Sequence, residues 1–189
     1  MFDLPNFNTT KPEKGKILLS EPFLSDNYFT RAVILIVEHD ENGTIGFILN
    51  KVSEINVQDA IENFPDFDAE IYFGGPVNRD NLFFIHSLGD RIKNAKEILP
   101  GIFWGGEFEM LKDIVSQEEI KATDLRFFVG YAGWAPGQLE KELEENSWIL
   151  CHSKINLMIN PNNLWAEILK TLGPKYAQLI NYPLDPNLN

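Results

Sequence analysis

Residues 32–50 read AVILIVEHDENGTIGFILN, and this stretch decides the fold. Two runs rich in β-branched and aliphatic residues, 32–38 and 44–50, flank the polar segment Asp40-Glu41-Asn42-Gly43. Such runs are typical of strands, and an Asn-Gly pair favours the positive φ angles of tight hairpin turns. The stretch therefore predicts a β-hairpin. A hairpin leaves no room for a crossover helix, which argues against a purely doubly wound parallel sheet.

Further strand and helix signals follow on both sides of the hairpin. Strands are predicted at residues 16–20, 71–73, 82–86, 102–104, 125–131 and 148–151. Helices are predicted at 57–64 with Asn56 as the cap, at 107–115, from Pro136 as first helical residue to 145, and from near Pro161 to Gly173-Pro174. Because strands outnumber helices and at least one hairpin is present, the pattern predicts an α+β fold.

Composition sets the class of protein. A chain of 189 residues with 44% hydrophobic and 23% charged residues fits one globular domain, 1–189, with a lead-in segment at 1–14 and an irregular tail at 183–189. Cys151 is the single cysteine, so no internal disulfide can form. The first residues resemble no signal peptide, and the longest aliphatic run, 33–37, is far too short to span a bilayer. We expect a soluble cytoplasmic protein that does not enter the membrane.

The formal net charge is −12, from 28 acidic and 16 basic residues. Proteins that bind nucleic acid usually present a basic face, because neutralising phosphates supplies most of their affinity. Two short helices around Gly173-Pro174 could be sought as a helix-turn-helix, but the second offers only Lys175 as a base. Direct contact with nucleic acid is therefore not expected.

Metal or acid–base chemistry would have to come from three histidines, His39, His86 and His152. They lack the i, i+4 spacing that places two ligands on one helix face. A site remains open if His39 and His86 converge at one end of the sheet. The alternative is that His39 orders the hairpin turn and His86 forms hydrogen bonds within the sheet. No cofactor and no metal is predicted.

Nucleophilic catalysis finds little support in the sequence. Cys151-His152 and His86-Ser87 are adjacent pairs in predicted strands, so their side chains point to opposite faces. No catalytic set is recognisable, and the sequence favours a role without catalysis while leaving an enzyme open.

Glycines 130, 133 and 137 are predicted to lie between a strand and a helix, where backbone N–H groups can hold an anion. The spacing matches neither a dinucleotide-binding nor a Walker loop. A structural role, in which small residues let Trp134 and the helix pack on the strand, is the alternative.

Several blocks together resemble the YqgE/AlgH family. They are residues 37–46 with Asn50-Lys51, Gly74-Gly75-Pro76-Val77 with His86 downstream, residues 130–134, residues 137–140, and residues 146–148. The blocks cover about residues 15–175. The resemblance implies a bacterial cytoplasmic protein with a coiled, partly barrel-like, mainly antiparallel sheet and flanking helices. It supplies no reaction, because the family carries only a transcriptional-regulator label.

Three functions therefore remain open. The first is a binding or regulatory module that acts through a small molecule or a protein partner. The second is an enzyme that uses His39 or His86 as acid, base or metal ligand, and the third is a DNA-binding regulator. Loops at sheet ends gather function, so we predict a ligand or partner groove that is formed by His39, Asn42, Asn50, Gly74, Gly75, His86, Gly133, Trp134 and Gln138.

Overall fold

The computed structural model describes residues 10–24, 26–117, 120–152, 156–158 and 163–182. The strands in these ranges are β1 Ile17–Ser20, β2 Val33–Asp40, β3 Gly43–Ile48, β4 Val52–Asn56, β5 Glu70–Phe73, β6 Val77–His86, β7 Lys96–Leu99, β8 Ile102–Trp104, β9 Leu125–Trp134 and β10 Trp148–Cys151. The α-helices are α1 Val57–Ala60, α2 Phe108–Gln117, α3 Gln138–Glu144, α4 Leu164–Thr171 and α5 Pro174–Ala177. Most of the predicted lead-in, residues 1–9, and the whole predicted tail, 183–189, lie outside the described residues.

All ten described strands belong to one sheet with the main order β10-β1-β2-β3-β9-β6-β8-β7. β5 joins it beside β9, and β4 pairs with β5. Within the described residues only the β5–β9 pair is parallel, and the path does not close on itself because it ends at β10 and β7. The predicted α+β fold with a mainly antiparallel sheet is thus confirmed, and the sheet is open.

The predicted hairpin is formed by β2 and β3. His39 pairs with Thr44 and Asp40 with Gly43, so the turn consists of Glu41 and Asn42. Gly43 has a φ of +127°, whereas Asn42 does not adopt a positive φ. The Asn-Gly signal therefore located the hairpin correctly, but only the glycine uses the unusual backbone conformation.

β9 organises the sheet because its two halves have different neighbours. Residues 127–129 run parallel to β5, and residues 132–134 pair with β3. Gly130 lies between the halves with a φ of +68°. A Cβ at Gly130 would lie 2.3 Å from the carbonyl oxygen of Gly75, and a Cβ at Gly75 would lie 2.1 Å from the carbonyl carbon of Tyr131. These two glycines let the chain leaving β5 cross β9 at backbone contact distance.

Two faces of the sheet are covered. Alternate residues of β2 face opposite sides, so Leu35 packs in the cluster that contains Trp165 of α4, and Ile34 packs in the cluster that contains Leu139 of α3. The Trp165 side chain is 1% exposed, and its Nε1 donates to the carbonyl oxygen of Ser20 at 3.1 Å. A third cluster lies between the sheet and α2, around Leu111 and Phe127.

Several predicted boundaries were wrong. The helix predicted at 57–64 is a single turn that ends at Ala60, since Ile61 is extended and Asn63 is left-handed at a φ of +57°. Its predicted cap is right, because the Asn56 side chain accepts from the N–H of Gln58. Strands β4 and β7 were not predicted. β6 extends five residues beyond the predicted strand, to Val77.

Two helix starts also differ from the prediction. β9 continues to Trp134, and Gly137 precedes α3 in a left-handed conformation, so Pro136 lies ahead of the helix rather than at its first position. α4 begins at Leu164, whereas the predicted start near Pro161 lies outside the described residues.

Candidate functional site

A groove lies at the tip of the β2–β3 hairpin, and we call it the hairpin groove. Its volume is about 460 Å³. It is lined by Glu38, Asp40, residues 42–45, Val77, Tyr131, Gly133 and Trp134.

Three strands bring these residues together. β3 pairs with the end of β9, which sets Ile45 opposite Gly133, and β6 begins with Val77 opposite Tyr131. A Cβ at Gly133 would lie 3.0 Å from the Tyr131 ring. The absence of a side chain at Gly133 therefore leaves room for the Tyr131 ring. The Tyr131 ring contacts the Phe83 ring edge-on, with 5.7 Å between the ring centroids.

The groove is acidic and aromatic. Glu38 forms an ion pair with Lys96 of β7, and Asp40 Oδ1 accepts the N–H of Asn42 at 2.7 Å. Among the described residues, no Lys or Arg lines the groove. The ring of Tyr131 supplies a π surface beside these carboxylates. Carboxylates and aromatic faces both attract cations.

His39 faces a neighbouring cavity of about 390 Å³, which is also lined by Glu140, Glu144 and residues 10–12. Its Nδ1 lies 2.7 Å from Thr44 Oγ1, and its Nε2 lies 3.6 Å from Glu140 Oε1. Thr44 is 3% exposed. The contact between its hydroxyl and Nδ1 orients the His39 ring, and Nε2 lies on the side of Glu140, which lines the cavity.

Glu142 of α3 is a residue that sequence reasoning missed. Its Oε2 accepts the indole N–H groups of Trp134 and Trp148, both at 2.8 Å. Its Oε1 accepts from Gln138 Nε2 at 2.9 Å. Gln138, predicted to lie in the groove, therefore supports the carboxylate that holds Trp134. The only sequence signal was the presence of two tryptophans, Trp134 and Trp148, whose indole N–H groups need an acceptor when they are buried.

Asn50, Gly74 and Gly75, which were also predicted to lie in the groove, contact the backbone of neighbouring segments instead. Asn50 Oδ1 accepts the N–H of Val33, and its Nδ2 donates to the Arg31 carbonyl oxygen, both at 2.9 Å. Gly74 and Gly75 lie at the β9 crossing, just before Val77, and do not line the groove. The structure therefore brings Asn42, Gly133 and Trp134 together in one groove.

His86 lies at the opposite end of β9 from His39. His86 pairs with Leu125, whereas Thr44, the partner of His39, pairs with Trp134. Nine residues of strand correspond to about 30 Å, so the two histidines do not share a site. No group of three or more metal-binding side chains lies within the described residues.

The glycine-rich segment is not a loop between strand and helix. Gly130 and Gly133 belong to β9, and only Gly137 lies between β9 and α3. The structural alternative therefore fits Gly130 and Gly133 better than an anion site, because the backbone N–H groups of a strand are committed to its neighbours.

The thiol of Cys151 is a core group. Burial raises its pKa to about 12, which leaves almost no thiolate at neutral pH. His152, the next residue, is exposed, as expected for neighbours on opposite faces of a strand.

The segment around Gly173-Pro174, where a helix-turn-helix was considered and not expected, begins with a helix that packs on the sheet. Five of the eight α4 residues are buried against the sheet. α5, in the position of a recognition helix, has only four residues. In the described part of the chain, no helix is long and apolar enough to cross a membrane.

Fold and groove define an α+β protein with an open, mainly antiparallel sheet and a groove at one hairpin end. Two solved structures share this fold. A Corynebacterium diphtheriae protein, DIP2367, superposes with a TM-score of 0.79 at 22% identity, over 96% of this chain and 100% of that one. The AlgH protein of Pseudomonas aeruginosa superposes with a TM-score of 0.69 at 26% identity, over 93% and 98%.

The chain belongs to the AlgH-like family, whose model matches residues 17–177. A UPF0301 protein of Cytophaga hutchinsonii is 41% identical over 179 residues, covering 93% of this chain and 98% of the relative. A UPF0301 protein of Parabacteroides distasonis is 39% identical over 186 residues, covering 96% and 94%. The predicted resemblance is confirmed, and these names state no activity.

Proposed function

We propose that this protein is a binding module that recognises a positively charged group, on a small molecule or a protein partner, in the hairpin groove. The observation that carries the proposal is the lining of the groove, where the carboxylate of Asp40 and the Glu38–Lys96 ion pair lie beside Tyr131 and, among the described residues, no Lys or Arg lines the groove. Carboxylates together with an aromatic ring suit an amine or guanidinium group. The net charge of −12 adds long-range attraction for such a ligand.

Rigidity supports this function. The groove is formed mainly by strands, and Trp134 is held in place by Glu142. A site on paired strands keeps its geometry without a ligand, which lowers the entropic cost of binding. A binding module that signals through a partner fits the transcriptional-regulator label without requiring contact with DNA.

The test is a calorimetric titration at low ionic strength with two cationic probes, spermidine and an arginine-rich peptide. Asp40→Asn and Tyr131→Leu should each weaken binding by about tenfold, the effect of one charge or one cation–π contact. Asp113→Asn, an exposed acid on α2 away from the groove, is the matched control and should bind as the parent does. The proposal would be refuted if the parent bound neither probe, or if the parent and the three variants bound the probes with equal affinity.

Native mass spectrometry of freshly purified protein decides between the two ligand classes. A small molecule retained at one per chain favours a metabolite, and a bare chain that binds the peptide favours a protein partner.

The geometry of His39 favours a second candidate function, acid–base catalysis in the neighbouring cavity. Nδ1 is held by Thr44, and Nε2 faces the cavity near Glu140. An imidazole with one nitrogen fixed by a hydroxyl and the other facing a cavity is a candidate acid or base. If esters or phosphoesters are turned over, His39→Gln should lower kcat by at least about a hundredfold. His152→Gln is the control, and absence of turnover in the parent protein excludes this candidate for those substrates.

A further inference from the structure

A separate cavity lies at the other end of β9, and we call it the Arg126 cavity. Its volume is about 320 Å³, at the lower end of the range for ligand sites. Arg126 of β9 lines it and is only 3% exposed. The cavity shares no lining residue with the hairpin groove.

Two backbone carbonyl oxygens accept hydrogen bonds from the buried Arg126 guanidinium. One Nη donates to the carbonyl oxygen of Leu157 at 2.7 Å, and the other donates to that of Leu49. Within the part of the chain that the structure describes, Nε has no hydrogen-bond partner. Among the described residues, no carboxylate lies within ion-pair distance of this guanidinium. Burying a charge is costly unless an opposite charge compensates it.

An aromatic ring fixes the guanidinium in place. Its carbon lies 4.0 Å from the centroid of the Tyr72 ring. Burial lowers the pKa of Arg126, and Tyr72 and Glu70 oppose that shift. With two carbonyl oxygens and the ring around it, the group is oriented before any ligand arrives.

The rim of the cavity carries the opposite charge. Asp68 and Glu70 line it and are exposed. The Tyr72 hydroxyl donates to Glu70 Oε2 at 3.1 Å, which ties the rim to the ring beneath it. The small cavity therefore has a cation at its base and two carboxylates at its mouth.

We propose that the Arg126 cavity binds a small zwitterion that carries a carboxylate and an ammonium group, an α-amino acid being the simplest. The carboxylate compensates Arg126 through charge-assisted hydrogen bonds, and the ammonium group meets Asp68 and Glu70. Neither a simple anion nor a simple cation satisfies both ends, because the rim repels the first and the base repels the second. The proposal does not depend on the function of the hairpin groove.

The experiment measures the binding of each standard amino acid, as a free ligand, to the purified protein, first by thermal shift and then by calorimetry. Acetate and ethylammonium serve as probes for the two halves of the ligand. At least one amino acid should bind more than tenfold tighter than either half. Arg126→Met should weaken its binding by at least a hundredfold, and the double variant Asp68→Asn, Glu70→Gln by about tenfold.

The double variant changes only exposed side chains, so it tests the proposal even if Arg126→Met fails to fold. Asp113→Asn, at an exposed acid on α2 that lines neither the hairpin groove nor the Arg126 cavity, is the matched control and should bind as the parent does. The proposal is overturned if no amino acid binds, if acetate binds as tightly as the best amino acid, or if the double variant keeps full affinity.

Discussion

The buried imidazole of His86 shows what a single residue contributes. It is fully buried and stacks on Phe103 at 5.7 Å. Its Nδ1 accepts the N–H of Leu88, and its Nε2 lies 3.3 Å from the Gly105 carbonyl oxygen. Only the neutral tautomer with the proton on Nε2 makes both hydrogen bonds. His86 is therefore a structural residue of the β6–β8 region.

The first prediction concerns the pH dependence of stability. Burial lowers the pKa of His86, and the bond to Gly105 partly opposes the shift. As pH falls below about 6.5, the unfolded chain takes up this proton before the folded one does. The contribution of His86 to stability is therefore complete above that pH and is lost as pH falls towards the lowered value.

His86→Phe keeps the stacked ring but leaves two polar backbone groups unpaired. It should lower the free energy of unfolding by about 1–3 kcal/mol at about pH 7.5. Urea unfolding at about pH 7.5 and 5.5 should show this difference shrinking at the lower pH. His152→Asn, at an exposed histidine, should follow the parent protein. A difference independent of pH between the parent and His86→Phe contradicts this account.

At the scale of elements, one carboxylate joins a helix to two strands. Glu142 on α3 accepts from Trp134 at the end of β9 and from Trp148 at the start of β10. The two rings meet edge-on at 5.8 Å. β9 and β10 are not neighbours in the sheet, so α3 connects its centre to its edge.

The second prediction is that Glu142→Gln weakens this connection. A neutral amide oxygen accepts more weakly than a carboxylate, and its NH₂ group cannot accept an indole N–H. We expect the free energy of unfolding to fall by about 1–3 kcal/mol, with a shift in tryptophan fluorescence of the folded state. Glu144→Gln, on the exposed side of α3, should change neither. Unchanged fluorescence in Glu142→Gln would show that the indoles do not depend on this carboxylate.

The same element scale shows why sequence reasoning found some strands and missed others. The hairpin has aliphatic runs and a turn signal within 19 residues, so its information is local. β4 and β7 read VSEIN and KEIL, and most of their residues are not buried. Their extended conformation comes from pairing with β5 and β8, and such pairing leaves no hydrophobic pattern in the strand itself.

For the whole molecule, net charge and helix length are the features that bear on DNA binding. The net charge of −12 repels polyanions. A helix-turn-helix would have to be formed by α4 and α5. α4 packs on the sheet, and α5 has only four residues. A helix this short spans about 6 Å, too little to read several base pairs in a major groove.

The third prediction is that the protein does not bind duplex DNA at physiological ionic strength. Fluorescence anisotropy of a labelled promoter fragment should stay constant across a protein titration, because few phosphates can be neutralised. Salt-sensitive binding under these conditions would contradict the prediction. Its loss in Lys175→Glu would then assign it to α5.

The sequence by itself determined the α+β class, the hairpin, the family and the acidic character, because strand periodicity, turn chemistry and charge are local or additive properties. It also predicted a ligand or partner groove with Asn42, Gly133 and Trp134 among its residues, and these three line one groove in the structure. Only the tertiary structure decided that His39 and His86 lie at opposite ends of β9, that Glu142 holds two tryptophans, and that Arg126 is buried with no ion-pair partner among the described residues. The positions of the histidines and of Arg126 depend on strands that pair between distant parts of the chain, such as Thr44 with Trp134 and His86 with Leu125. The Glu142 contacts depend on how α3 packs against the ends of β9 and β10. No local pattern encodes these choices.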